Sequence, residues 1–136
     1  MRKALLEDVD ELAALERELF PDNCFNERTL NNELKLSKCW VEERDGKLIG
    51  YVLVRIEDDM ADILRLGVLP GYHKQGVATR LLTRALQETP GVMLTVRKEN
   101  DPALSLYFSF GFQIIGETEG SWVMLKRGDC RTSSRS

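Results

Sequence analysis

A glycine placed among basic and amide side chains, just before an apolar helical pattern, can hold an anion. Residues 66–82, Leu-Gly-Val-Leu-Pro-Gly-Tyr-His-Lys-Gln-Gly-Val-Ala-Thr-Arg-Leu-Leu, carry that arrangement. An apolar strand pattern runs to Val68 and a Pro70-Gly71 turn follows. His73, Lys74, Gln75 and Gly76 form a short loop, and Val77, Ala78, Leu81 and Leu82 open a helix. The first amides of a helix have no intrahelical acceptor, and the macrodipole adds partial positive charge there. Gly76 lets a ligand approach the backbone with no Cβ in the way. The spacing therefore predicts a phosphate or pyrophosphate cradle around Gly76.

Three other residues have side chains suited to chemistry. Tyr107 lies in a later helical pattern, where its phenol is either a proton donor or part of the core. Asn100 precedes that helix and either contacts a ligand or bonds its own backbone. Asp62 begins the apolar run 61–68; partial burial there would raise its pKa toward the range of a useful base, and the alternative is an exposed strand-start carboxylate. His73 reads as a phosphate-side or surface residue. Trp40 and Trp122 read as packing residues.

The elements that must position these residues follow from periodicity. Residues 2–6 suit a short strand. Asp8 reads as an N-cap with Glu11 as its capping-box partner, and Val9, Leu12, Ala13, Leu15, Glu16 and Leu19 recur at helical spacing. Asn26 caps a second helical pattern through Leu30, Leu34 and Leu36. Residues 40–44 and 47–56 flank an Asp45-Gly46 turn and read as a hairpin. After the strand 61–68 and the helix opening at Gly76, which runs to about Glu88, residues 92–97 form a strand. Asp101 is expected to cap a helix with Pro102 at its first position, and Gly111 to end it. Residues 112–117 and 121–126 close a second hairpin around Glu119-Gly120. The order β-α-α-β-β-β-α-β-α-β-β gives one mixed, mostly antiparallel sheet with helices on both faces. Its middle β-α-β is a right-handed parallel crossover.

Composition bounds the remaining possibilities. The chain has 136 residues, 43% hydrophobic and 30% charged, and a net charge of −3. That suits a single α/β domain over residues 1–126 with a polar tail over 127–136. An acidic balance disfavours nucleic acid and mildly favours cationic partners such as amines. Cys24, Cys39 and Cys130 match no zinc spacing, and a lone histidine argues against a metal site. No apolar run reaches the roughly 18–20 residues of a membrane span. The N-terminal residues lack a signal-peptide apolar core, so a cytoplasmic protein with reduced thiols is expected.

The element order and two motifs together resemble the GNAT superfamily of acetyl-CoA-dependent N-acyltransferases. The family's phosphate loop, [Gln/Arg]-x-x-Gly-x-[Gly/Ala], is matched by His73-Lys74-Gln75-Gly76-Val77-Ala78, with His at the first position. Its second signature, Asn followed by a helix ending in Tyr-x-x-x-Gly-Phe, is matched by residues 100–112. Among subgroups, the chain is most similar to ribosomal-protein N-terminal-alanine acetyltransferases. The glutamate base of that subgroup would fall on Thr95.

The resemblance implies acetyl-CoA as acyl donor and an amine on a protein, peptide or small molecule as acceptor, attacked directly. It implies that Leu66, Gly67 and Val68 hold the pantetheine arm, with a bulge opening that slot and a backbone N–H near Val68 polarising the thioester oxygen. His73, Lys74, Gln75, Gly76, Val77, Ala78 and Thr79 would hold the pyrophosphate, Asn100 would contact the cofactor, and Tyr107 would act as general acid. Asp62 or water serves as base. A non-catalytic acyl-CoA-binding module on the same fold is the alternative.

Overall fold

The computed structural model describes residues 1–127; Cys130 and the rest of the polar tail lie outside the described residues. Seven strands form one sheet in chain order, except that the seventh lies between the fifth and the sixth. The chain separates into two compact units. One comprises Met1–Arg55 with Leu64–Ala85, and the other Ile56–Ile63 with the residues from Leu86 onward. The division falls inside β4 (Met60–Val68), not in a linker.

The first unit begins with β1 (Arg2–Lys3), which pairs antiparallel with β2 (Lys38–Arg44). β2 turns into β3 (Lys47–Glu57) through Asp45 and Gly46, at φ 55° and 78°. Two positive φ values match the right-handed twist of a hairpin, as the Asp-Gly pair predicts. The apolar stripe of α1 (Val9–Leu19) buries Leu12, Ala13 and Leu15, and α2 (Glu27–Leu36) buries Leu30. Asn26 caps α2 as expected, accepting the Thr29 N–H at 2.9 Å. Leu36, at the end of that pattern, is exposed. α3 (Val77–Leu86) buries Val77, Leu81, Leu82 and Ala85 and ends two residues before the predicted stop.

The expected capping box at α1 does not form. A 3₁₀ turn over Leu6–Asp8 precedes the helix, so Asp8 already has helical angles, φ −83° and ψ −5°. Its carboxylate cannot reach forward. It accepts instead from the Leu5 N–H at 2.7 Å and from both terminal nitrogens of Arg2, at 2.9 and 3.0 Å. Glu11 accepts the Leu48 N–H at 2.8 Å, tying α1 to β3.

In the second unit the first half of β4 runs parallel to β5 (Gly91–Arg97), from Met60↔Gly91 to Ile63↔Leu94. The parallel pairing expected of the β-α-β segment is present. β5 pairs antiparallel with β7 (Ser121–Arg127), and β7 pairs antiparallel with β6 (Gln113–Thr118). Arg127, expected to start the tail, is the last residue of β7, opposite Gly91. α4 (Asp101–Ser109) ends at Gly111, φ +94°, where a side chain would be strained. Its cap is Asn100 rather than Asp101; Pro102 therefore sits one residue further into the first turn. Ala61, Val92, Leu94, Phe112 and Met124 form this unit's core.

Candidate active site

The predicted cradle belongs to the first unit. Lys74 and Gly76 stand at φ 69° and 78°, either side of Gln75. Left-handed residues flanking one that is not left-handed curl the chain, and a turn of this kind suits anions. The first bond closing α3 runs from the Arg80 N–H to the Gly76 carbonyl at 3.0 Å. The amides of Val77, Ala78 and Thr79 precede it and begin the helix without intrahelical acceptors. A Cβ at Gly76 would lie 3.3 Å from Arg80 Nη1. These features fit the residues to a pyrophosphate.

The side chains of the loop are held from outside it. Arg44 Nη1 donates to Gln75 Oε1 at 2.9 Å, and Arg80 Nη1 donates to the Gln75 carbonyl at 3.2 Å. Glu42, buried on β2, gathers both arginines through Oε2, with Arg80 at 3.1 Å and Arg44 at 3.7 Å. Arg44 also lies over the Tyr72 ring. The Gln75 side chain is thus a fastening of the loop, which leaves the backbone amides as the groups suited to an anion. Motif spacing could not reveal Glu42 and Arg44, which arrive from a distant strand. Arg80 carries a weak signal, four residues beyond Gly76 on one helix face.

His73 turns back toward β4, and its Nε2 lies 2.9 Å from the Val68 carbonyl. That contact requires Nε2 to carry the proton, since the carbonyl accepts. It anchors the loop to the strand end, where the Leu69 N–H also reaches the Ile49 carbonyl at 2.8 Å.

Leu64–Val68 continues β4 past the last residue of its ladder with β5, Ile63. The backbone of Leu66, Gly67 and Val68 therefore lies beyond that ladder. Gly67 has a packing reason: an added Cβ would meet Leu19 Cδ1 at 2.8 Å and the Phe20 ring at 3.2 Å. Gly50 on β3 meets the Gly67 carbonyl and Val68 in the same way, at 3.0 and 3.2 Å. Two glycines let the end of α1 and strand β3 close in on this stretch of β4.

The remaining candidates belong to the second unit. Tyr107 is buried in α4, edge-on to Phe112 with ring centres 5.6 Å apart. Burial pushes its phenol up to about 12. Its hydroxyl therefore keeps its proton across the neutral range and is available there as a hydrogen-bond donor. Asn100 Oδ1 accepts the Ala103 N–H at 3.2 Å, leaving the amide nitrogen as the part of this side chain suited to a ligand. Asp62 is exposed on β4 opposite Met93, so the burial that would fit it for base catalysis is not found. Thr95 is exposed on β5 opposite Val123. Trp40 is buried beneath Arg84, and Trp122 is covered by Lys98, as packing residues would be.

One cluster in the first unit lay outside the sequence expectations. Glu16 is fully buried and pairs with Arg65 of β4, Nε to Oε2 at 3.0 Å. Glu16 already stood out within the apolar stripe of α1, and a carboxylate on a buried face calls for a cation.

Comparison with known proteins gives the arrangement a family. Residues 6–112 match the Acetyltransferase (GNAT) family. The chain is 31% identical over 135 residues to an N-alpha-acetyltransferase of Sulfurisphaera tokodaii, covering 83% of this chain and 79% of that one. It is 36% identical over 118 residues to N-alpha-acetyltransferase RimI of Mycobacterium tuberculosis, covering 80% and 75%. Its fold is similar to that of the PaiA N-acetyltransferase of Thermoplasma acidophilum, solved with coenzyme A, at a TM-score of 0.82 and 22% identity over 93% and 96% of the two chains. The chain belongs to the GNAT family of acetyltransferases.

Proposed function

We propose that this enzyme acetylates the α-amine of a protein or peptide by direct attack on the thioester. The observation that carries the reading is the glycine loop at the head of α3, joined through His73 to the end of β4 at Val68. Such a joint fixes the distance between a diphosphate held at 74–79 and an acyl group lying beside Leu66–Val68. The names of the two relatives support an α-amine acceptor.

Acetyl-CoA supplies an activated acyl group and a thiol leaving group. The chain's own residues do the rest. Amides from residues 74–79 bind the diphosphate. The edge of β4 at Leu66, Gly67 and Val68 takes the pantetheine amides as an added strand would. A backbone N–H near Val68 polarises the thioester oxygen. Asn100 donates to the cofactor through its amide nitrogen. Tyr107 is the residue assigned to donate a hydrogen bond to the departing sulfur. A phenol pushed to about 12 is a weaker acid than a thiol, so Tyr107 contributes mainly as a hydrogen-bond donor, and the proton lost by the attacking amine balances the thiolate. An α-amine titrates near 8 against about 10.4 for lysine, so solvent removes that proton with little help, and Asp62 has at most a minor part. Cys24 and Cys39 have no place in this scheme, which needs no acyl-enzyme.

Calorimetry with acetyl-CoA, followed by mass spectrometry of acetylated peptides, tests the reading. Tyr107→Phe is expected to lower turnover about tenfold or more while leaving acetyl-CoA affinity nearly unchanged. Asp62→Asn is expected to lower it less. Absence of binding at millimolar acetyl-CoA would overturn the proposal. Unchanged turnover in Tyr107→Phe would remove that residue from the mechanism.

A further inference from the structure

The buried pair in the first unit does more than neutralise a charge. Arg65 lies between two aromatic rings, its guanidinium carbon 4.5 Å from the centre of Phe20 and 4.1 Å from that of Phe25. Its Nη2 donates to the Asn23 carbonyl at 2.7 Å, and its Nε donates to Glu16. The other oxygen of Glu16 accepts the Phe25 N–H at 2.8 Å. Every one of these contacts ends on the segment joining α1 to α2, residues 20–26, or on Glu16 just before it. An arginine with a flat, stackable face and a fixed fork can make them together; a lysine cannot. The loop is therefore pinned at both ends and in its middle by one side chain from β4.

The same loop borders the acyl position. Phe20 would lie 3.2 Å from a Cβ on Gly67, the centre of the β4 stretch to which the preceding section assigns the thioester end. An amine travelling to an acyl group beside Gly67 passes the segment that Arg65 holds. We propose that Arg65, locked by Glu16, is a positioning residue for the acceptor. It sets the shape of the 20–26 loop, which forms one wall of the peptide's entry, and takes no part in holding acetyl-CoA. The inference rests on the assignment of a peptide amine as acceptor.

The test compares wild type with Arg65→Lys, which keeps a cation beside Glu16 but loses the stacking and the fork. Because a buried carboxylate left alone can unfold a protein, a second variant, Arg65→Met with Glu16→Gln, removes both charges. The probes are acetyl-CoA and two synthetic peptides, one with a free N-terminal alanine and one blocked there but carrying a lysine. The expected result is a KM for the alanine peptide raised about five- to tenfold, with kcat and the KM for acetyl-CoA within about twofold. Cys24 provides an independent reading of the loop. In a Cys130→Ser background, with Cys39 buried, its rate of modification by a thiol reagent should rise in both variants and fall when the alanine peptide is added to wild type. If the folded variants keep the wild-type acceptor KM, or lose only kcat, the positioning role is overturned. If wild type transfers acetyl to neither peptide, the acceptor assignment fails and this proposal with it.

Discussion

Gly76 is the residue on which the loop's conformation most depends. At φ +78° any L side chain is strained, whereas the 3.3 Å approach of a Cβ to Arg80 is relieved by moving a flexible side chain. Backbone strain therefore dominates over contact. Gly76→Ala is expected to cost about 1–2 kcal/mol of stability and to weaken acetyl-CoA binding, since the amides after it lose their convergence. Urea unfolding and calorimetry check the two effects separately; unaltered affinity would show that the amides hold their aim without glycine. Gly76 was legible from the sequence because a glycine before a helical pattern has few other uses. Its fastening was not. Gln75 reads as a ligand by type, yet its side chain is held by Arg44 from a strand whose neighbourhood depends on tertiary folding.

At the scale of elements, the entry to α1 shows how a local rule is overridden. Asp, then Glu three residues later, is a capping-box pattern, but the 3₁₀ turn ahead of the helix turns Asp8 back onto Leu5 and Arg2. The Arg2 guanidinium, and after it the Leu5 N–H, hold the Asp8 carboxyl below its ordinary value, against the opposing effect of burial. The unfolded chain therefore takes up this proton first as pH falls. The stability from Asp8 is present above about pH 4 and is lost as pH drops through the lower folded value. Asp8→Asn is expected to reduce stability at pH 7 by about 1 kcal/mol, given that Arg2 is partly exposed and screened, and to flatten the acid limb of the stability profile. Denaturant midpoints from pH 2 to 7 measure it, and equal slopes for both proteins would exclude the linkage. Two other local signals needed no correction. Asn26 caps α2 and Asp45-Gly46 turns the first hairpin because each acts on its own nearest backbone.

For the whole molecule, two buried acids govern the alkaline limit. Burial pushes the Cys39 thiol in the first unit and the Tyr107 phenol in the second each up to about 12, from ordinary values of 9.0 and 10.0. The unfolded chain releases both protons earlier than the native one. The stability these two groups contribute is therefore complete below pH 9 and declines as pH rises toward 12. Cys39→Ala should flatten the decline from about pH 9 upward, and Tyr107→Phe the part above about pH 10, in urea midpoints measured along that range. A wild-type midpoint constant from pH 9 to 12 would refute both. What the sequence determined by itself is the order of elements, the turns, the glycine loop at the head of α3 and the family, because helical and strand periods, glycine conformations and helix ends depend on residues only a few positions apart. What only the tertiary structure decided is which distant charges meet: Glu42 with Arg80 and Arg44, Glu16 with Arg65. The same holds for the burial of Tyr107 and the exposure of Asp62. Pairing and burial depend on which strands and helices become neighbours, and no local spacing encodes that.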